Sequence, residues 1–136
     1  MFAFGLAVGA GLFVAGQGMA EGVYPVPKLP SGLAVEVLDK FLDVKADGEL
    51  TFGRFRFLAP ELPDTAAMAY EVRLKDMDVL CADYALPHVK VTPDPVDRIV
   101  ISISDKPIKF GETAPGVVQF FEVYRIENGA CIWEEF

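Results

Sequence analysis

Histidine occurs once in this chain and cysteine twice, and the 12 lysines and arginines are outnumbered by 20 acidic residues. Each shortage closes off a chemistry. A net charge of −8 argues against nucleic acid and against anionic membrane surfaces as partners. Two cysteines and His88 fall short of a structural zinc set. Asp94, Asp97, Asp105 and Glu112 are scattered acidic positions without the D-x-D-x-D-G run of a calcium loop. There is no G-x-S-x-G nucleophile turn, no C-x-x-C pair and no glycine-rich loop for a cofactor phosphate. No metal and no cofactor is therefore expected. Internal repeats and linkers are also missing.

The first twenty residues carry no charge at all. Phe2 to Val14 is an apolar run, and Gly18-Met19-Ala20 supplies small residues where a signal peptidase reads. Residues 1–20 are thus expected to be a cleaved signal peptide, with an N-terminal membrane anchor as the alternative. Residues 21–136 are expected to form one domain, exported to the periplasm or secreted, with no membrane insertion of the mature chain. In such a compartment two cysteines have one possible pairing, Cys81 with Cys131. That bridge closes a loop of about 50 residues, worth roughly 4 kcal/mol in the chain-entropy picture.

Cys81 sits in the segment around which the fold is expected to form. Met77, Leu80, Cys81, Tyr84 and Ala85 recur at helical spacing and make one apolar stripe. Asp76 is a candidate N-cap, and Pro87 is expected to stop the helix, giving one short helix over about 76–86. Asp76, Asp78 and Asp83 fall off the stripe, towards water.

The remaining elements read as strands. Glu21 to Ser31, with Pro25, Pro27 and Pro30, reads as an extended surface leader. Leu33 to Val44 fits a strand, with a helix as the competing pattern. Leu50 to Leu58 is a strand rich in Phe, and Asp47-Gly48 between the two is a hairpin signal. In that hairpin Asp39 faces Arg56, Asp43 lies diagonal to Arg54, and Leu38 and Leu42 share a face with Phe55 and Phe57. Tyr70, Val72 and Leu74 alternate as a short strand, and Ile99, Ile101 and Ile103 alternate more cleanly. Val117 to Ile126 and Ala130 to Phe136 pair across Asn128-Gly129, which sets Ile126 against Cys131 and Tyr124 against Trp133. The expected class is α+β: a mainly antiparallel sheet of about five to six strands, one helix across a face, and a single disulfide.

Three places are candidates for function. The same register sets Glu122 opposite Glu135 beside Tyr124 and Trp133, the parts of a carboxylate pair with sugar platforms. The plainer account is two solvated carboxylates at the open end of a hairpin. His88 near Asp83 is the remaining triad fragment, and the plainer account is a loop histidine after a helix end. The connection from Asp105 to Gly116 is long, and Lys106, Lys109 and Phe110 in it are candidate partner contacts. The plainer account tucks Phe110 into the core. With no nucleophile set, the leading expectation is a non-enzymatic protein-binding module with a cationic protein partner. The alternative is a carbohydrate-active enzyme or carbohydrate-binding module built on Glu122, Glu135, Trp133 and Tyr124.

Overall fold

A computed structural model describes residues 25–45, 48–65 and 68–135. The expected signal peptide, residues 1–20, lies outside the described residues. Five strands form one sheet in chain order: β1 (Glu36–Asp43), β2 (Phe52–Leu58), β3 (Arg98–Ser104), β4 (Gln119–Glu127) and β5 (Ala130–Glu134). Every neighbouring pair is antiparallel except β2 and β3, which run parallel. A parallel pair requires a long crossover, and here the crossover carries the helix. The class is therefore α+β with a mostly antiparallel sheet.

Both hairpins keep the expected registers. Asp39 faces Arg56 and Asp43 faces Phe52, next to Arg54. Both ion pairs form, Arg56 to Asp39 at 2.6 Å and Arg54 to Asp43 at 2.8 Å. A register shift between Val37 and Asp39 puts Val37, not Leu38, opposite Phe57. Val37 and Leu42 then pack against the core. Asp47 lies outside the described residues. The turn is closed by Gly48, which donates its N–H to the Lys45 carbonyl at 2.9 Å with φ +88°. In the second hairpin Ile126 faces Cys131 and Tyr124 faces Trp133. Asn128 (φ +53°) and Gly129 (φ +75°) both take the positive φ that a type I′ turn demands.

The crossover corrects the expected helix at both ends. Helix α1 (Tyr70–Val79) begins six residues before Asp76, so Tyr70 to Leu74 is helical and not a strand, and the sheet has five strands among the described residues. A π-helical turn, Leu80–Ala85, follows, and α2 (Leu86–Lys90) continues beyond Pro87. Proline in mid-helix removes one bond and clashes with the carbonyl four residues back. The π turn relieves this: the Leu86 N–H reaches back to the Cys81 carbonyl, and Pro87 falls in the first turn of α2, where it is tolerated. His88 is thereby a buried helical residue and not a loop residue.

Asp76 is not a cap. It is buried inside α1 and accepts the Ser31 N–H at 3.0 Å and the Ser31 hydroxyl at 2.5 Å. The proline-rich leader is therefore pinned to the helix, and its Leu29 and Leu33 join the core. The expected stripe of Met77, Leu80, Cys81, Tyr84 and Ala85 is wholly buried against Phe55, Phe57, Ile99 and Ile101. Met77 and Leu80 each stabilise by about 1.5–3 kcal/mol on leaving water. Gly53 in β2 leaves room for the end of this helix, since a Cβ there would meet Val96 at 3.3 Å and Val89 at 3.5 Å. The Cys81–Cys131 disulfide joins the π turn to β5, with a Cα separation of 6.3 Å.

Candidate functional site

Strand β2 reads F-G-R-F-R-F, and side chains alternate across a sheet. Phe55 and Phe57 go under the helix, while Arg54 and Arg56 go to the opposite face. The same alternation sends Arg98 and Val100 of β3, and Phe121, Val123 and Arg125 of β4, to that outer face. No helix covers it among the described residues. It holds four of the chain's five arginines.

The β3–β4 connection folds back over part of this face. Its ends are locked: the Asp105 N–H donates to the Val118 carbonyl at 3.0 Å, and the Val118 N–H donates to the Asp105 carboxylate at 2.8 Å. Lys106 adds an ion pair to the same carboxylate at 3.0 Å. Burial pushes the Asp105 carboxyl up, but these bonds outweigh it and hold its pKa below the ordinary carboxylate value. Two tight turns shape the rest. Glu112 donates to Lys109 at 3.0 Å around Gly111, and Val117 donates to Ala114 at 3.3 Å around Gly116, with φ +86° and +81° at the two glycines. The Arg56 guanidinium, held by Asp39, also donates to the Ile108 carbonyl and ties the loop down.

Phe110 therefore does not enter the core. It is 49% exposed on the outer face, edge-on to Phe41 with centroids 5.1 Å apart. The Arg54 guanidinium lies 4.7 Å from the Phe110 ring and 5.2 Å from the Phe52 ring, a cation held between two aromatic faces. Between this loop and β3–β4 lies a cleft of about 270 Å³. Val100 and Ser102 lie on its β3 side, with Arg54 and Arg56 from β2, Phe110 from the loop and Phe121 from β4. Phe121 is 62% exposed, more than any other phenylalanine among the described residues. A second hollow of about 320 Å³ adjoins it and shares Arg54, Val100 and Phe121.

Charge on this face is balanced. Arg54, Arg56, Arg98, Arg125 and Lys109 stand with Asp39, Asp43, Glu112, Glu127 and Glu134, and ion pairs at 2.6–4.0 Å join all but Lys109 and Glu112. Five of each sign cancel, so the net −8 of the chain is carried elsewhere.

The other candidates separate. Glu122 accepts the Trp133 indole N–H at 2.7 Å and lines a smaller cleft of about 240 Å³ with Tyr70 and Arg73. Partial desolvation, then Glu122 and Glu135, push the Tyr70 phenol above its ordinary pKa. Glu135 is exposed beyond the end of β5. Tyr124 is buried and donates to Asp78 at 2.8 Å; burial and that carboxylate raise its pKa strongly. Neither Tyr124 nor Trp133 lines the Glu122 cleft. Asp83 is exposed, whereas His88 is buried with Nδ1 2.8 Å from the Tyr84 carbonyl. Lys106 caps Asp105, while Lys109 and Phe110 border the cleft. No group of three potential metal ligands occurs among the described residues.

Sequence reasoning named Lys109 and Phe110 but not Arg54, Ser102 or Phe121. The signal for them was present. Once Tyr124 is assigned inward, Phe121 and Val123 must point outward, and the Phe/Arg alternation of β2 does the same for Arg54.

What these observations define is a disulfide-stapled α+β domain with one face of its sheet open and a cleft beneath a fixed loop. The chain belongs to DUF6497, a family of unknown function, which it matches over residues 10–136. No curated protein and no solved structure matches it.

Proposed function

We propose that the chain is an exported, non-enzymatic protein-binding module, periplasmic or secreted, that docks its partner on the open sheet face beneath loop 105–118. Export is supported by the peptidase-like pattern of residues 1–20 together with the disulfide, which persists in oxidising compartments. Among the described residues no helix is long and apolar enough to cross a membrane.

One observation carries the docking reading: Phe121 and Phe110 stand exposed beside a cleft whose walls are already fixed by ion pairs and turns. Exposed aromatics around a pre-formed hollow are the usual anchors of an interface. The partner is a protein of net positive charge, drawn by the −8 carried off this face, and it seats apolar side chains against Phe121.

The test is capture of a stoichiometric partner by the mature chain, then calorimetry with that partner purified. Phe121→Glu should weaken binding about thirtyfold or more, the size of a hot-spot loss. High salt should slow association. Unchanged affinity of the Phe121→Glu chain for its purified partner would sink the reading.

A further inference from the structure

The charged groups lining the 270 Å³ cleft are three cations, Arg54, Arg56 and Lys109, and one carboxylate, Glu112. Arg54 spends only its Nε on Asp43, and its two terminal nitrogens have no hydrogen-bond partner among the described residues. The guanidinium is still fixed in place, because Phe52 and Phe110 flank it. Ser102 is 7% exposed, lines the cleft from the middle of β3, and its hydroxyl is bonded to nothing among the described residues. Lys109 borders the same space and likewise has no ion pair among the described residues. Glu112 is the one carboxylate on the lining. It belongs to the loop side, whereas Arg54 and Ser102 belong to the sheet side.

A serine hydroxyl and a guanidinium held between two rings, both on the wall of one hollow, match a planar oxygen acceptor of negative charge. Phe110, Phe121 and Val100 supply the apolar part of the wall, and Arg56, Thr113 and Gln119 add further polar groups. A hollow of this size is at the low end for ligand pockets, so it suits one carboxylate and one adjoining side chain and not a cofactor. The neighbouring hollow, continuous through Arg54, Val100 and Phe121, gives an extended chain somewhere to continue.

We infer that the cleft is the recognition site for an acidic residue flanked by an aromatic residue in an extended segment of the partner protein. Its carboxylate lies on Arg54, Ser102 and Lys109, and its aromatic neighbour lies between Phe110 and Phe121. The inference rests on the docking reading above and adds the chemistry of the segment.

The experiment titrates the ¹⁵N-labelled full chain with the peptide Ac-Phe-Glu-Phe-amide, its Gln analogue and N-acetylphenylalanine, following amide shifts. The Glu peptide should shift Ser102, Phe110 and Phe121 saturably. The Gln analogue should bind at least tenfold more weakly. Arg54→Met, which keeps the packing under Phe110, and Ser102→Ala should each weaken the Glu peptide about tenfold while leaving the remaining spectrum in place. Equal binding of the Glu and Gln peptides, shifts confined to another face, or unchanged binding by both variants would overturn the inference. Tighter binding of N-acetylphenylalanine than of the peptide would overturn the protein source in favour of a free aromatic acid. If no probe binds while Phe121→Glu still abolishes partner binding, the acidic motif fails and the docking reading stands.

Discussion

The two faces of the sheet are made by the same strands and differ by a single residue of register. Under the helix, Ile101 is fully buried between Phe55 on β2 and Glu122 on β4 in the ladder. One residue earlier, Val100 is on the open face between Arg54 and Val123. The covered face excludes water with aliphatic and aromatic side chains. The open face holds its shape with ion pairs, cation–π contacts and a loop lashed down by Arg56. The difference teaches where each face spends its binding capacity. The covered face is used within the chain except at the small Glu122 cleft, while the open face retains the exposed rings of Phe110 and Phe121.

The sharpest way to break the comparison is to uncouple the helix from the sheet. Replacing Cys81 and Cys131 by Ser should cost about 4 kcal/mol, read as a lower denaturation midpoint, because a loop spanning 50 residues is released in the unfolded chain. Next comes a matched pair of truncations. Ile101→Ala should destabilise by about 2–5 kcal/mol, whereas Val123→Ala, half-buried on the open face, should cost under about 1.5 kcal/mol. Near-equal losses in urea titrations would show that both faces are packed alike. Smaller again, Ser31→Ala removes the hydroxyl's hydrogen bond to the buried Asp76 carboxylate and the one it accepts from the Leu33 N–H, while the backbone bond from residue 31 to Asp76 remains, and it should cost about 1–3 kcal/mol.

The gentlest probe is pH, acting on the loop that roofs the open face. The folded-state pKa of Asp105 is depressed, so the unfolded chain takes up its proton first as the solution is acidified. Its contribution is fully present above the ordinary carboxylate value, about pH 4, and is lost as pH falls through the lower folded value. An Asp105→Asn chain should lose part of that acid dependence in denaturation midpoints measured between pH 2 and 6. An unchanged slope would show that this carboxylate does not lock the loop.

How legible each face was in the sequence follows from how local its determinants are. The stripe from Met77 to Ala85 and both hairpin registers are set by residues close in sequence, and they were readable with the disulfide. The start of the helix was not, because Tyr70, Val72 and Leu74 alternate too briefly to distinguish a strand from the first turns of a helix whose outer side is exposed. Pro87 misled for a physical reason: a π turn can absorb a proline that an α-helix cannot. The parallel pairing of β2 and β3 has no turn to announce it. Phe110 belongs to the open face only because Arg54 and Phe41, distant in sequence, offer it ring and cation contacts there. The cleft was therefore invisible as a whole, although the outward direction of Arg54 and Phe121 followed from alternation.

The staple between the π turn and β5 has a mechanical meaning as well. Cys81 and Cys131 close a covalent ring that contains β3, β4 and the whole of loop 105–118. A pull between the chain termini travels through the sulfurs and bypasses everything inside the ring. Under tension the leader and β1 can unravel and lengthen the molecule, yet Ser102, Phe110 and Phe121 carry no load until a sulfur–sulfur bond is reduced.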